Sequence, residues 1–297
     1  MKKSKLFGLL TTVAVAAMFA LPASGTLLVY EGFDYATGSV VGRDGGEGFD
    51  GAWQEGSDNS NQWAVQTGLT FDGLDTVGGS IKRPSAPNGA DIYRTLDTTT
   101  AAALTEDNTT IWFSLVTRST GFSFGNANGA MLFGTGAITG MSDGGSAVQM
   151  AGGEAVGFSY RGLANPNRMR LHGIMIDDGT SDRSGDYIEE DGVQAGNLYF
   201  IVGRIDWAPN GSNDTLTLYN ITDPTNPVLP APFATMSADL DQSEFNTIAI
   251  GSRQVETFDE IRFGTSLESV GVIPEPSTTG LLAVFGVAAL LRRRLRR

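Results

Sequence analysis

The sequence predicts an all-β fold of two packed sheets or a closed barrel, and three observations carry that expectation. Stretches of alternating or continuous apolar residues recur at intervals of roughly 10 to 20 residues, with Gly, Asn, Asp or Pro between them. No long amphipathic helical pattern interrupts them. The 39 glycines among 297 residues are about twice the ordinary frequency, as expected of a chain that spends much of its length turning. The count of such stretches, about eleven, is too large for one open sheet, so the strands must pack as two layers or close on themselves.

The stretches follow in order. "TLLVYEGFDY" opens the series from Thr26, and "QWAVQTGLTF" and "DIYRTLD" follow from Gln62 and Asp91. "TTIWFSLV" places Ile111, Phe113 and Leu115 on one face and Trp112 and Val116 on the other. "GAMLFGTG", "AVGFSYRG" and "RMRLHGIMI" occupy the middle of the chain. "NLYFIVGRIDW" is apolar on both faces and reads as a central strand. "DTLTLYNI" alternates, with Leu216 and Leu218 inward and Thr215 and Thr217 outward. "NTIAIGS" and "FDEIRFG" repeat the pattern through Ile248, Ile250, Ile261 and Phe263. Between the two strands that flank it, "APNGSND" reads as a hairpin connection in which Asn210 and Gly211 suit positive φ.

Charge narrows the partners. Lys2, Lys3, Lys5 and five arginines, Arg292, Arg293, Arg294, Arg296 and Arg297, lie in the terminal segments, and without those eight the chain has 12 basic against 33 acidic residues. So acidic a body disfavours nucleic acid, anionic lipid and acidic polysaccharide as partners, and leaves neutral glycans, cations and basic proteins open. The absence of cysteine removes disulfides, thiolate metal sites and a thiol nucleophile.

Residues 1–25 read as a secretory signal peptide: a basic start, an apolar stretch from Leu6 to about Leu21, helix-breaking Pro22, then small residues at Ala23 and Gly25. At the other end Gly280 to Leu291 spans about 18 Å as a helix, short of the roughly 30 Å hydrocarbon core. The arginines after it hold that end on the cytoplasmic side. Pro274, Glu275 and Pro276, the apolar helix and the arginine cluster, in that order over residues 272–297, resemble the PEP-CTERM sorting signal of exopolysaccharide-producing Gram-negative bacteria. The resemblance implies that an exosortase-type membrane enzyme recognises the Pro-Glu-Pro motif and removes the tail. On this reading the body meets the membrane only through that tail, and the processed protein resides at the cell surface or in the extracellular matrix.

Within the body, residues 26–271, "LLVYEGFDYATGSVVG", "GRIDWAPNGSNDTLTLYNITDPTNP" and "FDEIRFGTSLESV" resemble the concanavalin A-like (laminin G-like) jelly rolls that often precede such tails. The resemblance implies a two-sheet jelly-roll sandwich and no specific activity, because that fold hosts lectins, glycosidases and adhesive modules.

A glycosidase on this frame needs two carboxylates about 5 to 9 Å apart, and the family's usual Glu-x-Asp-x-x-Glu is absent. Glu189 with Asp191 lies in a loop-like stretch, while Asp259 and Glu260 are adjacent and expected on opposite faces. No strand-like stretch offers a carboxylate pair two or four residues apart. His172, the one histidine, has no second His or Cys with which to build a familiar metal site. The densest polar stretch, "IDDGTSDRSGDYIEEDG", offers Asp177, Asp178, Asp182 and Asp186 as ligands for Ca²⁺, which would offset their mutual repulsion; an ordinary solvated acidic loop is the alternative. Trp53 and Tyr187, in polar, Gly-rich surroundings, are the candidates for stacking on sugar rings, whereas Trp63 and Trp207 are expected in the core. These features point to an exported, non-catalytic jelly-roll protein with neutral polysaccharide as the expected ligand. A carbohydrate-active enzyme and a purely structural or adhesive matrix protein are the alternatives.

Overall fold

The computed structural model describes residues 25–56, 63–83, 90–120, 128–141, 148–162, 169–177, 181–182, 194–226 and 228–272. Strands β1 (Leu27–Glu31), β2 (Gly38–Ser39), β3 (Phe49–Glu55), β4 (Ala64–Thr67), β5 (Gly79–Lys82) and β6 (Ala90–Leu96) precede a short helix, α1 (Thr98–Leu104). After it come β7 (Thr110–Ser119), β8 (Asn128–Gly134), β9 (Ile138–Met141), β10 (Val148–Met150), β11 (Ala155–Gly162) and β12 (Met169–Ile176). The series ends with β13 (Ser181–Asp182), β14 (Tyr199–Asp206), β15 (Asp214–Ile221), β16 (Ala234–Ala238), β17 (Thr247–Ser252) and β18 (Glu256–Gly264).

These strands form a two-sheet jelly-roll sandwich, paired antiparallel throughout the ladders that build it. One sheet has nine strands in the order β16-β15-β14-β7-β18-β5-β4-β2, with β1 alongside the C-terminal half of β18. The other has seven in the order β13-β12-β11-β8-β17-β6-β3, and β9 and β10 form a separate hairpin. Among the described residues no helix is long and apolar enough to cross a membrane; residues 273–297, with the sorting motif, the apolar run and the arginines, lie outside the described residues.

The two inner faces supply the main core. Phe113, Leu115, Ile205, Leu216 and Leu218 of one sheet meet Met131, Phe133, Phe158, Ile248 and Ile250 of the other, all of them buried. Gly203 of β14 marks the closeness of this packing, since a Cβ there would sit 2.1 Å from Cζ of Phe113 on the neighbouring strand. The Phe113 ring is itself held by stacking on Phe263 at 5.4 Å.

Each outer face is partly roofed. The β9–β10 hairpin lays Ile138, Val148 and Met150 over Ala130, Leu132 and Ile174 of the seven-stranded sheet. Over the nine-stranded sheet, Leu69, Leu74, Val270 and Val272 cover Val116, Phe200, Val202 and Ile221. A bulge in β18 fixes the first of these segments. Glu260 sits at φ 53° and the register with β7 shifts between Asp259 and Arg262, so the core-facing set runs Phe258, then Ile261 and Phe263. The expectation that Asp259 and Glu260 would point to opposite faces is thereby corrected. Asp259 Oδ2 accepts the Leu69 N–H and Glu260 Oε1 the Val77 N–H, both at 2.7 Å, so both carboxylates end on the same covering loop.

Candidate functional site

Among the described residues, the roof over the nine-stranded sheet leaves part of the outer faces of β7, β14, β15 and β16 accessible, and these strands set out a polar and aromatic surface. The ladders place Trp112 of β7 beside Arg204 of β14, Arg204 beside Thr217 of β15, and Thr217 beside Thr235 of β16. The adjoining row runs Thr110, Asp206, Thr215 and Ser237. Alternation along each strand sends these side chains outward while Phe113, Ile205, Leu216 and Leu218 turn into the core.

Trp112 and Tyr219 are the aromatic part of this surface. Their strands flank β14 on either side, yet the rings lean together to a centroid separation of 6.4 Å and an interplanar angle of 25°. Both are half-buried and pack against the apolar roof, which fixes their orientation while part of each remains accessible. The Arg204 guanidinium lies 5.8 Å from the Trp112 ring centroid, within cation–π range. Arg204 also forms an ion pair with Asp206 at 2.7 Å, on side chains 43% and 36% exposed. Partial burial raises the Tyr219 phenol above its ordinary pKa, so it stays protonated and able to donate near neutrality. Fixed aromatic faces, hydroxyls and one charge-balanced pair together offer apolar contact and hydrogen bonding to a ligand that carries both kinds of group.

Trp53, expected as an exposed stacking residue, is instead only 1% exposed. It stacks on Phe33 at 5.8 Å and donates its indole N–H to Glu31 Oε2. Its polar sequence neighbours conceal a partner 22 residues away. Tyr187, Asp178 and Asp186 lie outside the described residues, and Asp182 is described only through its backbone in β13. Asp177 is exposed at the end of β12 and contributes, with Asp241 and Asp239, to raising the Glu154 pKa, though burial is the larger cause. Among the described residues no three carboxylate or imidazole groups converge to hold a metal ion. Trp63 and Trp207 are core residues as expected, donating to the carbonyls of Ala90 and Leu104. His172 is buried on β12. Asp214 shapes the "APNGSND" hairpin by accepting the N–H groups of Ala208 and Leu240, and Gly211 there has φ 88°.

The carboxylates of β18 need a second correction. The strand begins at Glu256, so Glu256 and Glu260 are a pair four residues apart. The bulge separates them. Glu256 turns into the sandwich, accepting from Ser119 Oγ at 3.0 Å and from the Tyr160 hydroxyl of the opposite sheet. Glu260 turns outward under the loop, where Tyr30 and Arg262 donate to it. Burial raises both pKa values. Both are fully buried, and their hydrogen-bond partners join sheet to sheet and sheet to loop.

No family model matches the chain, and no curated protein sequence matches it. Solved structures do. The chain is similar to a protein of unknown function from Shewanella oneidensis MR-1, with 10% identity and a TM-score of 0.45, over 80% of this chain and 84% of that one. It is similar to peanut lectin, with 11% identity and a TM-score of 0.38, over 72% and 97% of the two chains. A third likeness is to lectin UEA-II complexed with galactose, with 12% identity and a TM-score of 0.41, over 80% and 98%. At such identities and TM-scores the ligands of these proteins carry no weight for this chain, and what places it among two-sheet jelly rolls is its own strand order and pairing.

Proposed function

We propose that this chain is an exported, non-catalytic jelly-roll protein that binds neutral polysaccharide on the outer face of its nine-stranded sheet. The observation that carries the reading is the Trp112–Tyr219 pair, two half-exposed rings held 6.4 Å apart at the border of the roof, beside hydroxyl and ionic side chains. An ordinary outer strand face presents isolated polar residues, and aromatic side chains left partly exposed and orientationally fixed are typical of recognition surfaces. The acidic body supports an uncharged ligand over an anionic one. Export, and removal of the tail by an exosortase-type enzyme, rest on residues 1–25 and on the motif Pro274, Glu275 and Pro276 with the arginines behind it.

The test of binding is retention of the full chain on neutral polysaccharides in affinity electrophoresis, wild type against Trp112→Ala. Loss of one aromatic stack on a nucleic-acid base costs about 1–3 kcal/mol, and a similar loss here would make the variant bind about 5- to 150-fold more weakly with an unchanged fold. Equal retention of the two proteins would remove the platform from the account. For sorting, mass spectrometry of surface-localised protein is expected to find a C-terminus that lacks Arg297, and finding Arg297 there would refute the processing step.

A further inference from the structure

On the glycan reading above, the shape of the accessible patch sets the form of the ligand. Along the strands the patch is short. On β7, Thr110 and Trp112 are half-buried, whereas Ser114 and Val116, the next outward residues, are buried under the roof, Ser114 with its hydroxyl donated to the Val270 carbonyl. On β14, Arg204 and Asp206 give way in the same manner to buried Val202 and Phe200. Across the strands the patch is longer. The row Trp112, Arg204, Thr217, Thr235 and the row Thr110, Asp206, Thr215, Ser237 each pass over four strands, and all eight side chains are half-buried or exposed. Successive outward residues of one strand are about 7 Å apart, while three steps between strands cover about 14 Å, so the long axis crosses the strands. Among the described residues no strand follows β16 at one end of the rows. At the other end Trp112 pairs with Gly264, where a Cβ would collide with Ser269 Oγ, so the C-terminal segment closes that side.

A sugar unit of an extended polysaccharide advances by nearly the distance between neighbouring strands. A chain lying along the rows therefore meets a new strand with each unit. The Thr110 and Ser237 hydroxyls donate to Asp206 Oδ1 at 2.6 Å and to the Asp214 carbonyl at 2.7 Å, which turns their oxygens into fixed acceptors for sugar hydroxyls. Sheet twist adds a second condition. Neighbouring strands rotate by roughly 20°, so the rows turn by about 60° from β7 to β16. A single chain can follow that turn, and the flat face of a crystalline polymer cannot.

We infer that the site takes one polysaccharide chain across four strands, one sugar unit to a strand, with the aromatic pair at the closed end and the Thr235 hydroxyl at the open end. Its ligand class is the soluble, single-chain form of an extended neutral polysaccharide.

The experiment measures binding of the full chain to 1,4-linked gluco-, manno- and galacto-oligosaccharides of one to six units, and to soluble glucomannan and galactan beside crystalline cellulose. Wild type, Thr235→Val and Trp112→Ala are compared. Wild-type affinity is expected to rise about threefold or more per unit, the size of one ordinary net hydrogen bond, up to four units and to level off beyond. Thr235→Val, a β-branched exchange that a strand tolerates, is expected to lower the affinity for four units to that for three and to leave shorter oligomers unaffected at an unchanged melting temperature. Trp112→Ala is expected to weaken binding at every length, and crystalline cellulose is expected to retain none of the proteins. Affinity already complete at one or two units, tetrasaccharide binding untouched by Thr235→Val, or retention on crystalline cellulose equal to that on the soluble polymers overturns the strand-by-strand reading and leaves the glycan reading standing. Absence of wild-type binding to the whole panel, or binding that survives Trp112→Ala at every length, overturns the glycan reading and this one with it.

Discussion

Trp53 and Arg94 both direct an N–H at Glu31 Oε2, each at 2.9 Å, and the Tyr35 hydroxyl donates to the same oxygen at 2.7 Å. Burial is the main cause of the raised Glu31 pKa, and Arg94 is one of the groups that hold it down. Removing one partner of a buried pair leaves an uncompensated charge, so Arg94→Met is expected to cost about 3–5 kcal/mol, measured as a lowered urea midpoint. A shift under 1 kcal/mol would show that Tyr35 and Trp53 suffice. At this scale the sequence was only partly legible. The core roles of Trp63 and Trp207 follow from the apolar stretches "QWAVQTGLTF" and "NLYFIVGRIDW" that hold them. Trp53 sits among glycines and acids, and two of its partners, Phe33 and Glu31, come from outside its own strand. Trp112 was legible as facing away from Phe113, but the ring that meets it, Tyr219, lies two strands off and more than a hundred residues later.

Among elements, each of the eleven stretches read from hydrophobic pattern contains a strand, because six or more residues of period-2 or continuous apolar sequence suffice to define one. The remaining elements escaped that pattern. β2 and β13 have two residues each, too few for any period. Helix α1 is built from "TTTAAAL" and starts at Asp97, whose carboxylate accepts the N–H groups of Thr99 and Thr100. The bulge of β18 was equally hidden, since nothing in "ETFDEIRFG" marks Glu260 for positive φ. On β14, which stands under the centre of the platform, Gly203→Ala would press a methyl group into the Phe113 ring. Overpacking of this kind costs about 1–3 kcal/mol. The expected result is a lower melting temperature together with weakened polysaccharide binding, since β14 carries Arg204 and Asp206; a melting temperature at or above wild type would show that Phe113 can yield.

Taken as a whole, the molecule concentrates its titration on buried carboxylates. Burial is the largest cause of raised pKa values at Glu31, Glu154, Asp214, Glu256, Asp259 and Glu260, with Asp259 pushed up to about 8. Between the ordinary carboxylate range, about pH 4, and those raised values the folded chain holds more protons than the unfolded one. Their contribution to stability is therefore complete below about pH 4 and is lost as pH rises through the folded pKa values. Surface Asp97 and Asp223, lowered chiefly by hydrogen bonds from Thr100 and Thr225, act in the opposite sense, and what they add is lost only as pH falls through their depressed values. The melting temperature is expected to peak at mildly acidic pH and to decline toward pH 8, with Asp259→Asn flattening the upper part of the decline. A melting temperature that climbs steadily from pH 5 to 8 would contradict the dominance of burial.

Val272, the last described residue, is buried in one cluster with Val116, Phe200 and Val270, on the side of the sheet that displays Trp112 and Tyr219. A tether attached there works like a pedestal fixed to the display side of an object: while it holds, that side faces the support, and when it is cut, that side comes into view. On the sorting reading, tail removal would then do more than release the protein, because it would also uncover the ligand surface at the moment of arrival. The absence of cysteine makes the geometry easy to probe with single-site biotinylation. Immobilised through Ile273→Cys, the protein is expected to capture polysaccharide poorly; immobilised through Gln54→Cys, exposed on the other sheet, it should capture well. Equal capture from both attachments would mean that the exit path leaves the platform clear.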